Sequence, residues 1–452
     1  MKKIFLLGCS PLFICFFLSA QGIINKNPNI IIILSDDLGY HDVSYYGTKD
    51  IQTPNIDLLS TSGMRFDRFY SNSSVCSPTR ASLMSGRYPE RVGVPGVIRS
   101  TPSSNFGYLT PNTILLPELL KKMKYNTALV GKWNLGLESP NIPNEKGFDF
   151  FHGFLDDKMD DYYTHLRNNI NFMRRNKDII IPEGHATDLF TNWAVDYIKS
   201  QENKQDPFFL YLAYTAPHTP LQPREDWLKK IKQRELGISD TRAKLIALIE
   251  HMDDGIGKLI HELKISGKYD NTLIIFLSDN GGKLENESNN GNIRGGKGGF
   301  YEGGVRVPAI FVWPGHIQAG STNNQRAITM DVLPTISDIL KIKNNNPVEG
   351  ISLLKILKNS KDSLPERNIF FTRREGDVEF GGQAIHMVIS NNWKLVQNSP
   401  YQMYELYNLK KDTLEKQNLI STEPDRYKKL IELMIPHIKK GGSVPWQAPS
   451  KF

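Results

Sequence analysis

The sequence predicts an α/β chain with a mostly parallel sheet flanked by helices, followed by a smaller antiparallel subdomain. Three observations carry this. Apolar, β-branched runs recur without any polar face over the first three quarters of the chain. Amphipathic stretches of helical period separate them. Beyond about residue 345 the apolar runs shorten, and one long helical pattern closes the chain.

The first element is not part of the fold. Lys2 and Lys3 form a basic start, an apolar run follows, and Leu18-Ser19-Ala20 makes a cleavage site. This is the pattern of a secretory signal peptide over residues 1–20. No later segment has the ~18 apolar residues in succession that a membrane span needs. The expectation is an exported, periplasmic or secreted chain with no transmembrane segment once mature.

A catalytic α/β domain is expected over residues 21–345. NIIIIL (29 to 34), TALV (127 to 130), FFLYLAY (208 to 214), TLIIFL (272 to 277) and PAIFVW (308 to 313) are apolar on both faces. Such runs suit strands covered on both sides in a parallel sheet. LPELLKKMKY (116 to 125), DLFTNWAVDYIKS (188 to 200) and the long stretch 241 to 264 have helical spacing. Strands alternating with helices argue for crossover connections and a parallel sheet. The turn-rich connector KNNNPVEG (343 to 350) leads to a second unit, 346–452. There NIFF, AIHMVIS, WKLVQ and MYELYNL read as short antiparallel strands, and PDRYKKLIELMIPHIKK as the terminal helix.

Each main strand runs into polar residues. NIIIIL ends in Ser35-Asp36-Asp37, and TLIIFL in Ser278-Asp279-Asn280. TALV ends in Gly131-Lys132-Trp133-Asn134, and FFLYLAYTAP reaches His218. Ligands of open α/β sheets bind beyond the carboxyl ends of the strands, so these clusters are expected to share one pocket. Asp36, Asp37, Asp279 and Asn280 offer only hard oxygen ligands, which select Ca²⁺ or Mg²⁺ over zinc. Taken singly, such carboxylates more often cap helices or order turns.

Of three cysteines, Cys9 and Cys15 would leave with the signal peptide, so Cys76 would remain alone. It stands in SSVCSPTRASLMSGR (73 to 87) among polar neighbours. Pro78 suits the first turn of a helix and Gly86 its end. Cys76 is therefore expected at a helix N-terminus, with Arg80 one turn on. Both features favour an anion and should lower the thiol pKa. The formal charge of +7 falls to +5 without Lys2 and Lys3. That balance suits anionic partners. No basic tract with interleaved aromatics favours nucleic acid.

Cys76-Ser77-Pro78-Thr79-Arg80, followed by ASLMSGR, resembles the C-x-P-x-R signature of the formylglycine-dependent (type I) sulfatases, members of the alkaline-phosphatase-like superfamily. Further matches span most of the chain. DDLGYHDVSYYG (36 to 47) and SDNGG (278 to 282) resemble the family's metal segments. GKWNLG (131 to 136), APHTPLQ (216 to 222) and RGGKGGFYEGGVRVP (294 to 308) resemble its lysine and histidine segments. ELYNLKKDTLEKQNL (405 to 419) resembles its C-terminal element.

The resemblance implies an alkaline-phosphatase-like fold. It also implies that a maturation enzyme oxidises Cys76 to formylglycine. Asp36, Asp37, Asp279 and Asn280 would hold Ca²⁺ together with residue 76. One hydroxyl of the hydrated aldehyde would attack sulfur, assisted by the metal and Arg80, and the second would later expel sulfate. Lys132 and Lys297 would clamp sulfate oxygens, and His218 would protonate the leaving oxygen. One position departs: Asn134 stands where the family usually has histidine, and asparagine is no base near neutral pH. Asn134 is expected in the pocket without a catalytic role. The implied substrate is a sulfated carbohydrate, with Arg99, His165, Arg167 and Arg294 as candidate sugar or sulfate contacts. Two other readings remain open: a phosphomonoester or phosphonate hydrolase on the same fold, and an inactive relative that binds sulfated glycans.

Overall fold

A computed structural model describes residues 27–343, 345–375 and 383–449. The signal-peptide segment lies outside them. Among the described residues no helix is long and apolar enough to cross a membrane.

The main sheet has ten strands. In chain order they are β1 (Asn29–Ser35), β2 (Met64–Phe66), β3 (Asn126–Lys132), β4 (Phe150–Phe154), β5 (Met173–Arg175), β6 (Asp178–Ile179), β7 (Phe208–Ala213), β8 (Thr272–Ser278), β9 (Ala309–Val312) and β10 (Ser321–Asn323). Across the sheet the order is β10-β2-β9-β8-β1-β7-β3-β4-β5-β6. The central five, β8-β1-β7-β3-β4, are all parallel. Every residue of β1, β7 and β8 is buried, which is why their sequences show no polar alternation. The run 308 to 313 does form a strand, β9, but it pairs antiparallel with β8 and β2.

Register fixes where the chemistry falls. Ser35 lies opposite Ser278, and Leu34 opposite Ala213. Gly131 in turn lies opposite Ala213. The residues after β1, β3, β7 and β8 thus emerge at one edge. Gly131 has φ +103°, and a Cβ there would stand 2.0 Å from the Ala213 carbonyl oxygen, so glycine lets β3 approach β7.

Helices cover the sheet. Ala186–Ser200 and the 26-residue Asp240–Ile265 pack together beside it, as their apolar spacing predicts. The second unit is a four-stranded antiparallel sheet: β11 (Asn368–Glu375), β12 (Gln383–Ser390), β13 (Trp393–Gln397) and β14 (Glu405–Asn408), in that spatial order. The terminal helix Pro424–Gly442 packs on it through Leu430 and Met434.

Candidate active site

Cys76 is the first residue of the helix Cys76–Ser85. Pro78 lies in its first turn. Gly86 ends it with φ +67°, its N–H donating to the Ser82 carbonyl. All ten helical residues are buried, so this short helix is threaded through the core with its N-terminus at the sheet edge.

Four side chains meet at the sulfur. Cys76 Sγ lies 3.3 Å from Asp36 Oδ1 and 3.8 Å from Lys297 Nζ. Asp36, Asp37, Cys76 and His218 each place a ligating atom within 4.8 Å of the others. Around them three cations pair with three carboxylates. Lys132 Nζ is 2.5 Å from Asp36 Oδ2. Arg80 Nη2 is 2.8 Å from Asp279 Oδ2 and 3.4 Å from Asp36 Oδ2. Lys297 Nζ is 2.7 Å from the Asp37 carboxylate. The Arg80 guanidinium also donates to the Lys132 carbonyl, which ties the cysteine helix to the end of β3.

Burial and charge set the protonation states. Burial works against the Asp36 charge, but Lys132 and the cations beside it hold the carboxyl far below its usual range. Burial and the neighbouring Asp36 push Asp279 up to about 6, in spite of Arg80. Burial and Lys297 push His218 down to about 4. Its Nδ1 lies 2.7 Å from the Thr219 carbonyl oxygen, which can only accept, so Nδ1 carries the proton. Nε2 is left facing Asp37 Oδ2 at 3.6 Å. The Cys76 thiol departs from expectation. Burial, Asp279 and Asp36 raise it well above the ordinary value, because two carboxylates outweigh the helix end and the lysines.

The donor set fits a hard cation. Asp36, Asp37, Asp279 and Asn280 are at most 2% exposed. Asn280 Nδ2 donates to Asp37 Oδ1 at 2.8 Å, whereas its Oδ1 is buried without a hydrogen-bond partner. An orphaned amide oxygen close to carboxylates is the kind of all-oxygen donor set that suits a hard divalent cation. A second group, His185, Asp188 and His251, is also close enough to ligate. There both His185 nitrogens are committed, to Thr187 N–H and the Gln222 carbonyl, and Asp188 pairs with Arg224. That group is a hydrogen-bond network joining helices.

A cavity of about 710 Å³ opens over Cys76. His218, Lys297, Arg99 and Arg167 line it. Two other candidates lie elsewhere. Arg294 sits 3.7 Å over the Tyr301 ring and donates to Tyr407 and the Glu415 carbonyl, beside a different cavity. His165 is buried and donates Nε2–H to the Gly184 carbonyl. Asn134 is fully buried and does not line the cavity; its Nδ2 donates to the Ile98 carbonyl at 2.9 Å. Sequence reasoning missed Lys158, Lys283, Arg373 and Asn398, which also line the cavity. It missed Tyr162 too, whose hydroxyl donates to the Thr215 and His218 carbonyls and braces the histidine loop. No motif marks them; only the fold brings β11 to this edge.

Residues 28–342 match the family model "Sulfatase". The chain belongs to the sulfatase family. Residues 296–441 also match the model "N-sulphoglucosamine sulphohydrolase, C-terminal". N-acetylgalactosamine-6-sulfatase of Mus musculus is 34% identical over 407 residues, 83% of this chain and 76% of its own. A sulfatase of Formosa agariphila is 31% identical over 477 residues, 89% of this chain and 86% of its own. The crystal structure of Ps i-CgsB in complex with k-i-k-neocarrahexaose superposes with TM-score 0.85 at 32% identity, covering 94% of this chain and 96% of that one. This sulfatase is a sulfuric ester hydrolase with the mixed, mostly parallel sheet and small antiparallel sheet of its structural neighbours.

Proposed function

We propose that this sulfatase hydrolyses sulfate esters of a carbohydrate, with formylglycine at position 76 and Ca²⁺ held by Asp36, Asp37, Asp279 and Asn280. The observation that carries the reading is the meeting of Cys76, Asp36 and Lys297 within 4 Å at the floor of a large cavity. A relative named N-acetylgalactosamine-6-sulfatase and a similar structure solved with k-i-k-neocarrahexaose support a sugar substrate. The aldehyde hydrate would supply a hydroxyl nucleophile, and Ca²⁺ would supply Lewis acidity toward it and the sulfate.

The chain's own residues do the rest. Arg80 and Lys132 are fully buried cations and Lys297 a partly exposed one at the cavity; each is paired with a neighbouring carboxylate. They stabilise charge developing on sulfate oxygens without reorganising. His218 lines the cavity, with Nδ1 committed to the Thr219 carbonyl and Nε2 near Asp37. It would take up a proton as sulfate arrives and return it to the leaving oxygen. Asp36, nearest the sulfur, orients residue 76. Asn134 binds the backbone of Ile98 and takes no part in proton transfer. Export through residues 1–20, a maturation enzyme for Cys76, and a boundary near residue 345 complete the proposal.

Peptide mass spectrometry across residue 76 of protein from its native host tests it, together with sulfate release from an aryl sulfate. An aldehyde at 76 and sulfate release are expected. Intact cysteine throughout sinks the formylglycine mechanism. Faster phosphate than sulfate release would favour the phosphoester reading. Glycan binding without release by modified protein would favour an inactive relative.

A further inference from the structure

His218 stands on a segment without regular structure. Between the end of β7 at Ala213 and the helix that opens at Glu225, residues 214–224 form neither strand nor helix. A proton donor must be held to within about 0.5 Å of its working position, and a loop alone does not supply that precision. The rotation of the ring is set locally, by the Thr219 carbonyl at Nδ1. The backbone beneath the ring is set from another part of the chain.

Tyr162 does this. Its hydroxyl, with one proton to donate, lies 2.8 Å from the His218 carbonyl oxygen and 2.9 Å from that of Thr215. The Thr215 carbonyl also accepts the His218 N–H, at 2.9 Å. The hydroxyl therefore joins both ends of the turn that carries the histidine. The grip is reciprocal. The Tyr162 N–H donates to Gln222 Oε1 at 2.7 Å, and Gln222 Nε2 donates to Asp161 Oδ2 at 2.8 Å. Residues 161 and 162 thus hold the segment 215–222 at both its ends. Tyr162 is itself fixed: its carbonyl accepts from the Ala186 N–H at 2.9 Å, and its ring stacks on His185 with centroids 5.0 Å apart. It is 1% exposed, and neither it nor Gln222 lines the cavity over Cys76.

The structure assigns Tyr162 and Gln222 as positioning residues that hold His218 where its proton reaches the leaving oxygen. This rests on the reading of His218 as the proton donor. When the bond from sulfur to the substrate oxygen breaks, its electron pair stays on oxygen, and the proton from His218 makes that oxygen an alcohol. Esters of sugar hydroxyls need that proton. Esters of acidic phenols do not, because the phenolate departs as an anion. The clamp therefore decides how well the enzyme cleaves unactivated esters.

The test uses the modified full chain and a series of substituted phenyl sulfates, from 4-nitro to 4-methoxy. Tyr162→Phe keeps the ring and loses the hydroxyl. Its kcat/KM should fall about tenfold at the methoxy end and little at the nitro end. His218→Ala should steepen the same dependence, and adding Tyr162→Phe to it should cost nothing more. Gln222→Ala opens the other end of the clamp and should repeat the pattern, which keeps the test intact if Tyr162→Phe fails to fold. A residue that only supports the fold lowers all esters alike, so equal losses across the series overturn the inference, as does an unchanged series in both variants. Hydrogen exchange of peptides covering residues 214–222 gives a readout without turnover. It should speed up in Tyr162→Phe while peptides of β1 and β8 keep their rates; unchanged exchange overturns the clamp. If the modified wild type cleaves no ester yet the exchange difference is present, the sulfatase reading fails and the clamp on His218 stands.

Discussion

Lys132 Nζ lies 2.5 Å from Asp36 Oδ2, with both side chains wholly buried. The pair is the centre of a site in which buried cations and carboxylates balance only while each keeps its partner. Lys132→Ala would leave Asp36 without its nearest cation, with Arg80 next at 3.4 Å. Removing one partner of a buried pair costs about 3–5 kcal/mol, because the other charge is stranded. The chelator-treated variant should therefore unfold at clearly lower urea concentration than chelator-treated wild type. Its kcat on an aryl sulfate should fall by about 10²–10³ as a sulfate-oxygen donor is lost. Unchanged unfolding midpoints would show that Asp36 does not depend on this lysine.

Ca²⁺ should stabilise the chain. Asp36, Asp37 and Asp279 crowd negative charge, and Asn280 Oδ1 has no partner, so a hard cation relieves both. At one hundred times its Kd the ion adds about 2.7 kcal/mol of stability. Melting with and without chelator measures this. Asp37→Asn removes a carboxylate from the ligand set and should weaken Ca²⁺ binding in calorimetry by tenfold or more. Identical melting in calcium and in chelator would remove the metal assignment.

His185 makes stability depend on pH away from the site. Its ring caps the helix Ala186–Ser200: Nδ1 accepts from Thr187 N–H, and Nε2–H donates to the Gln222 carbonyl. Burial holds it at about 4, below the usual value of 6.5. Between those values the unfolded chain binds more protons than the folded one. Stability should therefore drop as pH falls below about 6.5, with the loss complete under about 4 and amounting to about 3 kcal/mol. Asparagine is a good cap that does not titrate. Urea midpoints of His185→Asn should fall less steeply with pH than those of wild type; parallel slopes would put the proton elsewhere.

The strand ends were legible because fully covered strands leave no polar residues until they emerge, so Ser35-Asp36-Asp37 and Ser278-Asp279-Asn280 stand out. Pro78 and Gly86 likewise bound the cysteine helix. Strand direction was not legible: Ala309–Val312 is as apolar as its parallel neighbours, yet runs against them. Arg294 was expected as a sugar or sulfate contact but lies beside a different cavity. Gly295, at φ +77°, turns the chain beyond it and sends the guanidinium onto Tyr301. The direction of the thiol shift was missed because helix-end arguments omit the carboxylates that only strand register brings to Cys76. Arg373 had no signal at all, since only the docking of the small sheet brings it to the cavity.

Asn134 ties two parts of the site together. Its backbone is left-handed, with φ +55°, and its amide donates to the Ile98 carbonyl. The Ile98 N–H in turn donates to Ser77 Oγ on the cysteine helix, and Arg99 follows directly into the cavity. The lysine loop, the cysteine helix and the Arg99 segment are thus coupled through one residue. Asn134→Gly tolerates the backbone but strands a buried carbonyl, costing about 1–3 kcal/mol. Asn134→Ala strands the same carbonyl and adds the left-handed penalty, a further ~1 kcal/mol. Urea unfolding should therefore order the proteins as wild type, then Gly, then Ala, against the usual stability advantage of alanine over glycine. If Ala and Gly both match wild type, the tether is not holding the segment. Asn134→His should leave kcat without a large gain, since this buried side chain is spent on Ile98; a large rise would show that the chain lacks a base which histidine supplies.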